Sequence, residues 1–159
     1  MSKYTRAIAA VAVTMTAAAA AVPALSGAHA PGTGPQTLRF FDTPVATTLT
    51  TTSGQVTSRP PYPQPEPGDI LNVYSLDYPG NHLRHAAHWT MSNHLRCTFG
   101  HGQPICESDV AVGGSLLVFN GSKLVGATGL YQGVTGRVLS NKQVSGTDNA
   151  SDIVVRVQR

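Results

Sequence analysis

Three observations predict an all-β fold, an eight-stranded antiparallel barrel. Helix signals are almost absent after residue 31, Gly, Pro, Thr and Val recur throughout, and apolar runs are short and punctuated by turn residues.

The chain opens with a segment of another kind. Lys3 and Arg6 precede an apolar run over residues 7–21, Pro23 ends any helix, and Ala28-His29-Ala30 has the small-x-small pattern of a cleavage site. The run is shorter than the ~20 residues a membrane-spanning helix needs. Residues 1–30 therefore read as a signal peptide, and residues 31–159 as one secreted, extracellular β-barrel domain with no membrane anchor.

Strands follow in order. Residues 37–50 form the first, opened by Leu38, Phe40 and Phe41, with Pro44 marking an edge or bulge. Residues 51–67 hold five prolines (Pro60, Pro61, Pro63, Pro65 and Pro67) and form a Pro-rich loop. Residues 69–78 are the second strand, and Pro79-Gly80-Asn81 is a turn. Residues 82–99 read as one long strand, 107–112 as its return. Gly113-Gly114 breaks the chain before a strand over 115–119, and Asn120-Gly121 is a hairpin signal. Residues 124–128, 134–144 and 151–158 complete the set.

Side-chain alternation assigns faces. In the last strand Ile153, Val155 and Val157 point one way and Asp152, Arg156 and Gln158 the other. The second strand is apolar on both faces, with Leu71 and Val73 opposite Ile70, Tyr74, Leu76 and Tyr78. Such a strand buries both faces, and a subunit interface is the simplest outer cover.

Composition excludes some partners. Loss of Lys3 and Arg6 reduces the 11 Lys and Arg to 9, against 8 Asp and Glu. The remaining basic residues are scattered rather than clustered on one face, which argues against nucleic acid. Cys97 and Cys106, separated by eight residues, predict a disulfide in an oxidising compartment; the spacing matches neither a Cys-x-x-Cys redox pair nor a zinc knuckle.

The closing half, with Gly113-Gly114 before an apolar strand and Thr128-Gly129-Leu130-Tyr131 before a second glycine-rich turn, resembles the allene oxide cyclase and dirigent barrel superfamily. Leu38-Arg39-Phe40-Phe41-Asp42 and Pro67-Gly68-Asp69-Ile70, then Tyr78 and Gly80, fit the same order. The resemblance spans roughly residues 37–159 and looks like the actinobacterial, exported branch. It implies an eight-stranded barrel, often a homotrimer, whose apolar cavity orients a reactive small molecule. In that superfamily an acid in the first strand is the key group, and Asp42 occupies its place, as the catalytic candidate. Two amides of the cyclases fall at Pro44 and Ser75, and the dirigent Arg falls at Gln132. Tyr74, Ser75, Tyr78 and Trp89 are the ligand-binding candidates, although the aromatic groups serve equally as core filler. The functional expectation is a secreted barrel that binds and orients a small, largely apolar molecule, as an allene-oxide-cyclase-like or dirigent-like isomerase, cyclase or guide. The alternative is a non-catalytic secreted small-ligand-binding or cell-surface protein. No cofactor is implied.

His82, His85, His88, His94 and His101 crowd one stretch. On a continuous strand His88 and His94 lie about 20 Å apart at ~3.3 Å per residue, too far to share a metal. A polar barrel face or rim is the simplest role; a proton shuttle beside Asp42 or Asp77 is the other. The expectation is no metal site.

Overall fold

The computed structural model describes residues 34–147 and 149–159. The signal peptide inferred for residues 1–30 lies outside them. Among the described residues no helix is long and apolar enough to cross a membrane.

The chain forms a closed eight-stranded antiparallel barrel. Its strands are β1 (Gln36–Thr50), β3 (Ile70–Asn81), β5 (Met91–Thr98), β6 (Ile105–Val112), β7 (Ser115–Asn120), β8 (Lys123–Ala127), β9 (Thr135–Gln143) and β10 (Ser151–Gln158). The two-residue strands β2 (Val56–Thr57) and β4 (Arg84–His85) pair onto β1 and β3.

Closure depends on β1. Its first half pairs with β10, from Gln36 opposite Val157 to Asp42 opposite Ser151, while Phe40 to Thr50 pair with β3. One strand thus joins both free edges of the meander, and a barrel with no unpaired edge results. The register on β3 slips between Pro44 and Ala46. Pro44 cannot donate to the ladder, and Val45 bulges out, 61% exposed. The extra residue reverses the alternation. Leu38, Phe40 and Asp42 point inward before it, and Thr47 and Leu49 point inward after it.

Leu38, Phe40, Met91, Val110, Leu117, Phe119, Ile153, Val155 and Val157 form a continuous buried cluster in the barrel interior. They come from inward-facing positions of five strands, as a barrel interior requires. β8 and β9 pair only at Lys123 and Arg137. A turn of 3-10 helix, Gly129–Tyr131, lies between them and inserts Tyr131 into the cluster. The backbone N–H of Leu130 donates to Ser115 Oγ at 2.9 Å, tying this turn to β7.

Three sequence expectations are corrected. Pro79-Gly80-Asn81 is not a turn: β3 runs through Asn81, and the reversal falls at His82-Leu83. The strand predicted over residues 82–99 is broken into β4, a connection, and β5. The cause is local. Asn81 Oδ1 accepts the backbone N–H groups of Leu83 and Arg84, at 3.1 and 2.9 Å, and folds the chain back on itself. The third is a shift by one residue: the β7–β8 loop is Gly121-Ser122, flanked by the pair Asn120 and Lys123.

Cys97 and Cys106 are bonded and face each other across β5 and β6. Alanine at both positions is expected to lower stability by about 2.5 kcal/mol, the closure entropy of so short a loop. Urea unfolding of oxidised wild type and double mutant measures it; equal midpoints would mean that the β5–β6 pairing alone holds this end.

Candidate functional site

The barrel interior is not filled along its whole length. A cavity of about 610 Å³ extends from Phe40, Asp42 and Ile153 at mid-barrel toward Cys106, Gly121 and Ser122. Its wall is largely apolar, with Leu71, Val73, Leu95, Val110, Phe119, Val138 and Val155 among the lining residues. This volume falls within the ~300–1,000 Å³ typical of small-molecule sites.

Asp42 lines this cavity and is 7% exposed. Its strand neighbours explain the placement. Phe40 and Asp42 share the inward face of β1, so burial of Phe40 carries the carboxyl in with it. Ser75, also buried, lines the wall from β3, opposite Asn93 on β5. Asn93 Nδ2 donates to Asp42 Oδ2 across 3.4 Å, a long hydrogen bond.

Beside this group lies a second acid. Asp77 pairs with Asp42 across β3 and β1 and is fully buried. Neither of its carboxyl oxygens meets a donor. As an anion Asp77 would therefore be a buried charge without compensation, an arrangement proteins avoid. Burial first, then a hydrogen bond to Asp42 and the repulsion of the Asp42 charge, push its carboxyl up to about 9. Asp77 thus carries a proton at neutral pH, beside Asp42.

Among the described residues that line the cavity there is no Lys, Arg or His. The histidines lie elsewhere. His82 bonds Asp152 through its backbone N–H at 2.7 Å and its ring at 2.5 Å. The His85 ring lies 5.2 Å from Phe41 and 5.3 Å from Tyr78. His94 stacks on Tyr74 at 4.4 Å and bonds Asn72 at 3.2 Å. His88 and His101 are exposed. Among the described residues no histidine stands in position for a proton shuttle with Asp42 or Asp77. Among the described residues no three His, Cys, Asp or Glu side chains gather as a metal site.

Of the ligand-binding candidates only Ser75 reaches the cavity. Leu71, Val73, Ser75 and Asp77 face inward, so Tyr74 and Tyr78 of the same strand face outward. Tyr74 is 47% exposed, and Trp89, on the connection before β5, is 53% exposed. These three aromatic side chains do not line the cavity.

Tyr62 does line it, and sequence reasoning passed it over as part of the Pro-rich loop. Its hydroxyl donates weakly to the Thr47 carbonyl at 3.4 Å. The loop is pinned at its ends by the buried Asp69, whose carboxylate accepts the N–H groups of Thr52 and Glu66 at 3.0 and 2.9 Å. An aromatic residue set between prolines, Pro61-Tyr62-Pro63, was the available signal.

No family model, curated protein or solved structure matches the chain. The cavity geometry thus carries the functional argument.

Proposed function

We propose that this is a secreted barrel that binds and orients a small, largely apolar molecule, in the manner of the allene oxide cyclase and dirigent barrels it resembles. The observation that carries the reading is an apolar cavity with a buried carboxyl group, Asp42, in its wall. Apolar walls supply affinity and exclude water, and a single polar anchor sets orientation. Asp42 is the group that touches the occupant; Asp77 sits behind it and holds the proton. An acid so placed polarises a ligand or moves a proton within it, which is what an isomerase or cyclase of this kind asks of its wall. A non-catalytic carrier would use the same cavity for binding alone. The reading includes a homotrimer, supported by the half-buried Ile70, Leu76 and Tyr78 and the exposed Tyr74 on the outer face of β3.

A cavity-filling variant tests the reading. Ser108 lines the cavity and lies across from Leu95 and Phe119, whereas Asp109 points outward. Wild type is expected to take up Nile red, a neutral apolar fluorophore, with a blue-shifted emission. Ser108→Trp should lose at least about nine-tenths of that binding, a loss of roughly 1.4 kcal/mol or more, and Asp109→Trp should keep it. Equal uptake by both variants would place the dye on the outer surface and refute the cavity as the binding site.

A further inference from the structure

The cavity wall carries a charge signature that selects among apolar molecules. Among the described lining residues Asp42 carries the one carboxyl group, and no Lys, Arg or His balances it. Thr47, Ser75, Ser108, Asn141, Asn149 and Ser151 are neutral. Asn93, in the same wall, spends its Nδ2 on Asp42, and its Oδ1 is buried with no donor. The cavity therefore presents one acidic acceptor, the Asp42 carboxyl, held from the side by Asn93. A ligand head with N–H donors and a positive charge complements it.

We propose that the natural occupant is a hydrophobic amine, bound as its ammonium ion with the head on Asp42 and the apolar body along Leu71, Val73 and Val110. An ammonium has three N–H donors and no acceptor, so it can donate to Asp42 and to a neutral hydroxyl of the wall such as Ser75 together. The Asp77 proton leaves the acid pair with a single negative charge, which one ammonium neutralises. A carboxylate ligand meets the opposite situation: its charge would be desolvated beside Asp42 with no cation in the wall. An alcohol satisfies one acceptor and no charge.

This inference rests on the cavity reading above, and one experiment separates the two. Octylamine, 1-octanol and octanoate share one apolar chain and differ only in the head. Each is titrated at pH 7.4 into full-length mature protein, and displacement of bound Nile red gives its affinity. The expected order is amine, then alcohol, then acid. The amine should be at least about tenfold tighter than the alcohol, the scale of one hydrogen bond to a charged group. Asp42→Asn should weaken the amine about tenfold and leave the alcohol within about threefold, with Nile red uptake reporting that the barrel is folded. Octanoate binding as tightly as octylamine to wild type would overturn the amine assignment and leave the cavity reading standing. If none of the three displaces the dye, both fall.

Discussion

Asp77→Asn is expected to make the barrel more stable, and increasingly so as pH rises. The sign follows from the direction of the shift. Burial and Asp42 push the Asp77 carboxyl from 3.8 up to about 9 in the folded chain. Below pH 4 both folded and unfolded chains hold the proton, and the side chain contributes no pH dependence. Between about 4 and 9 the unfolded chain has lost the proton and the folded chain keeps it. Each folding event then takes up a proton, and stability falls by up to about 1.4 kcal/mol per pH unit. Above about 9 the loss is complete. Asparagine keeps the shape and has no proton to take up. The variant should match wild type near pH 4 and exceed it by about 4 kcal/mol at pH 7. Urea unfolding of both proteins at pH 4, 6 and 8 measures the divergence. Parallel stability curves would show that Asp77 is ionised in the fold and would remove its proton from the site.

A destabilising acid kept in the centre of a barrel fits a functional site better than a structural one. Where local rules are broken at a cost in stability, the broken position commonly belongs to the binding or reacting surface. Asp77 has no basic partner that would make it a structural ion pair, and its one acidic neighbour lines the cavity. The pair therefore links the stability prediction to the ligand prediction: the proton that costs stability is the one that sets the charge seen by an occupant.

Much of the barrel was legible because strand alternation and turn residues are local signals. Ile153, Val155 and Val157 read as inward-facing and are buried, and Gly113-Gly114 reads as a break and is one. Asp42 read as a first-strand acid among Phe40 and Phe41, and it sits on the inward face with Phe40. The same alternation should have separated Tyr74 from Ser75, since adjacent residues of one strand cannot face one cavity. What stayed hidden depends on pairing across distant parts of the chain. Asp77 meets Asp42 only because β1 and β3 are in register there, and neither strand announces that register. Tyr62 reaches the cavity because Asp69 pins its loop, a contact no pattern of spacing encodes. The histidine-rich stretch was misread as one strand because its apolar content outweighed one turn-forming side chain, Asn81.

Gly136→Ala is expected to cost about 3 kcal/mol, the upper part of the usual range for forcing an extra carbon into a packed site. A Cβ at this position would lie 2.4 Å from the carbonyl oxygen of Arg156 and 3.2 Å from Val157 Cα. Both are backbone atoms of β10, so no rotamer change relieves the contact. β10 would have to move, and Gly136 is opposite Val157, which is fully buried. The same strand carries Val155 into the core and Ser151 and Ile153 into the cavity wall, so displacement would loosen the site as well as the barrel. Gly126→Ala is the matched control. Its Cβ would meet Val118 Cβ at 3.6 Å and Cγ2 at 3.8 Å, ordinary contacts. Alanine there reduces the freedom of the unfolded chain and should be neutral or stabilise by about 0.5 kcal/mol. Denaturant midpoints for the two variants decide the matter. A Gly136→Ala protein as stable as the Gly126→Ala protein would show that β9 and β10 separate at little cost, and that this seam yields where the close approach of backbone to backbone says it cannot.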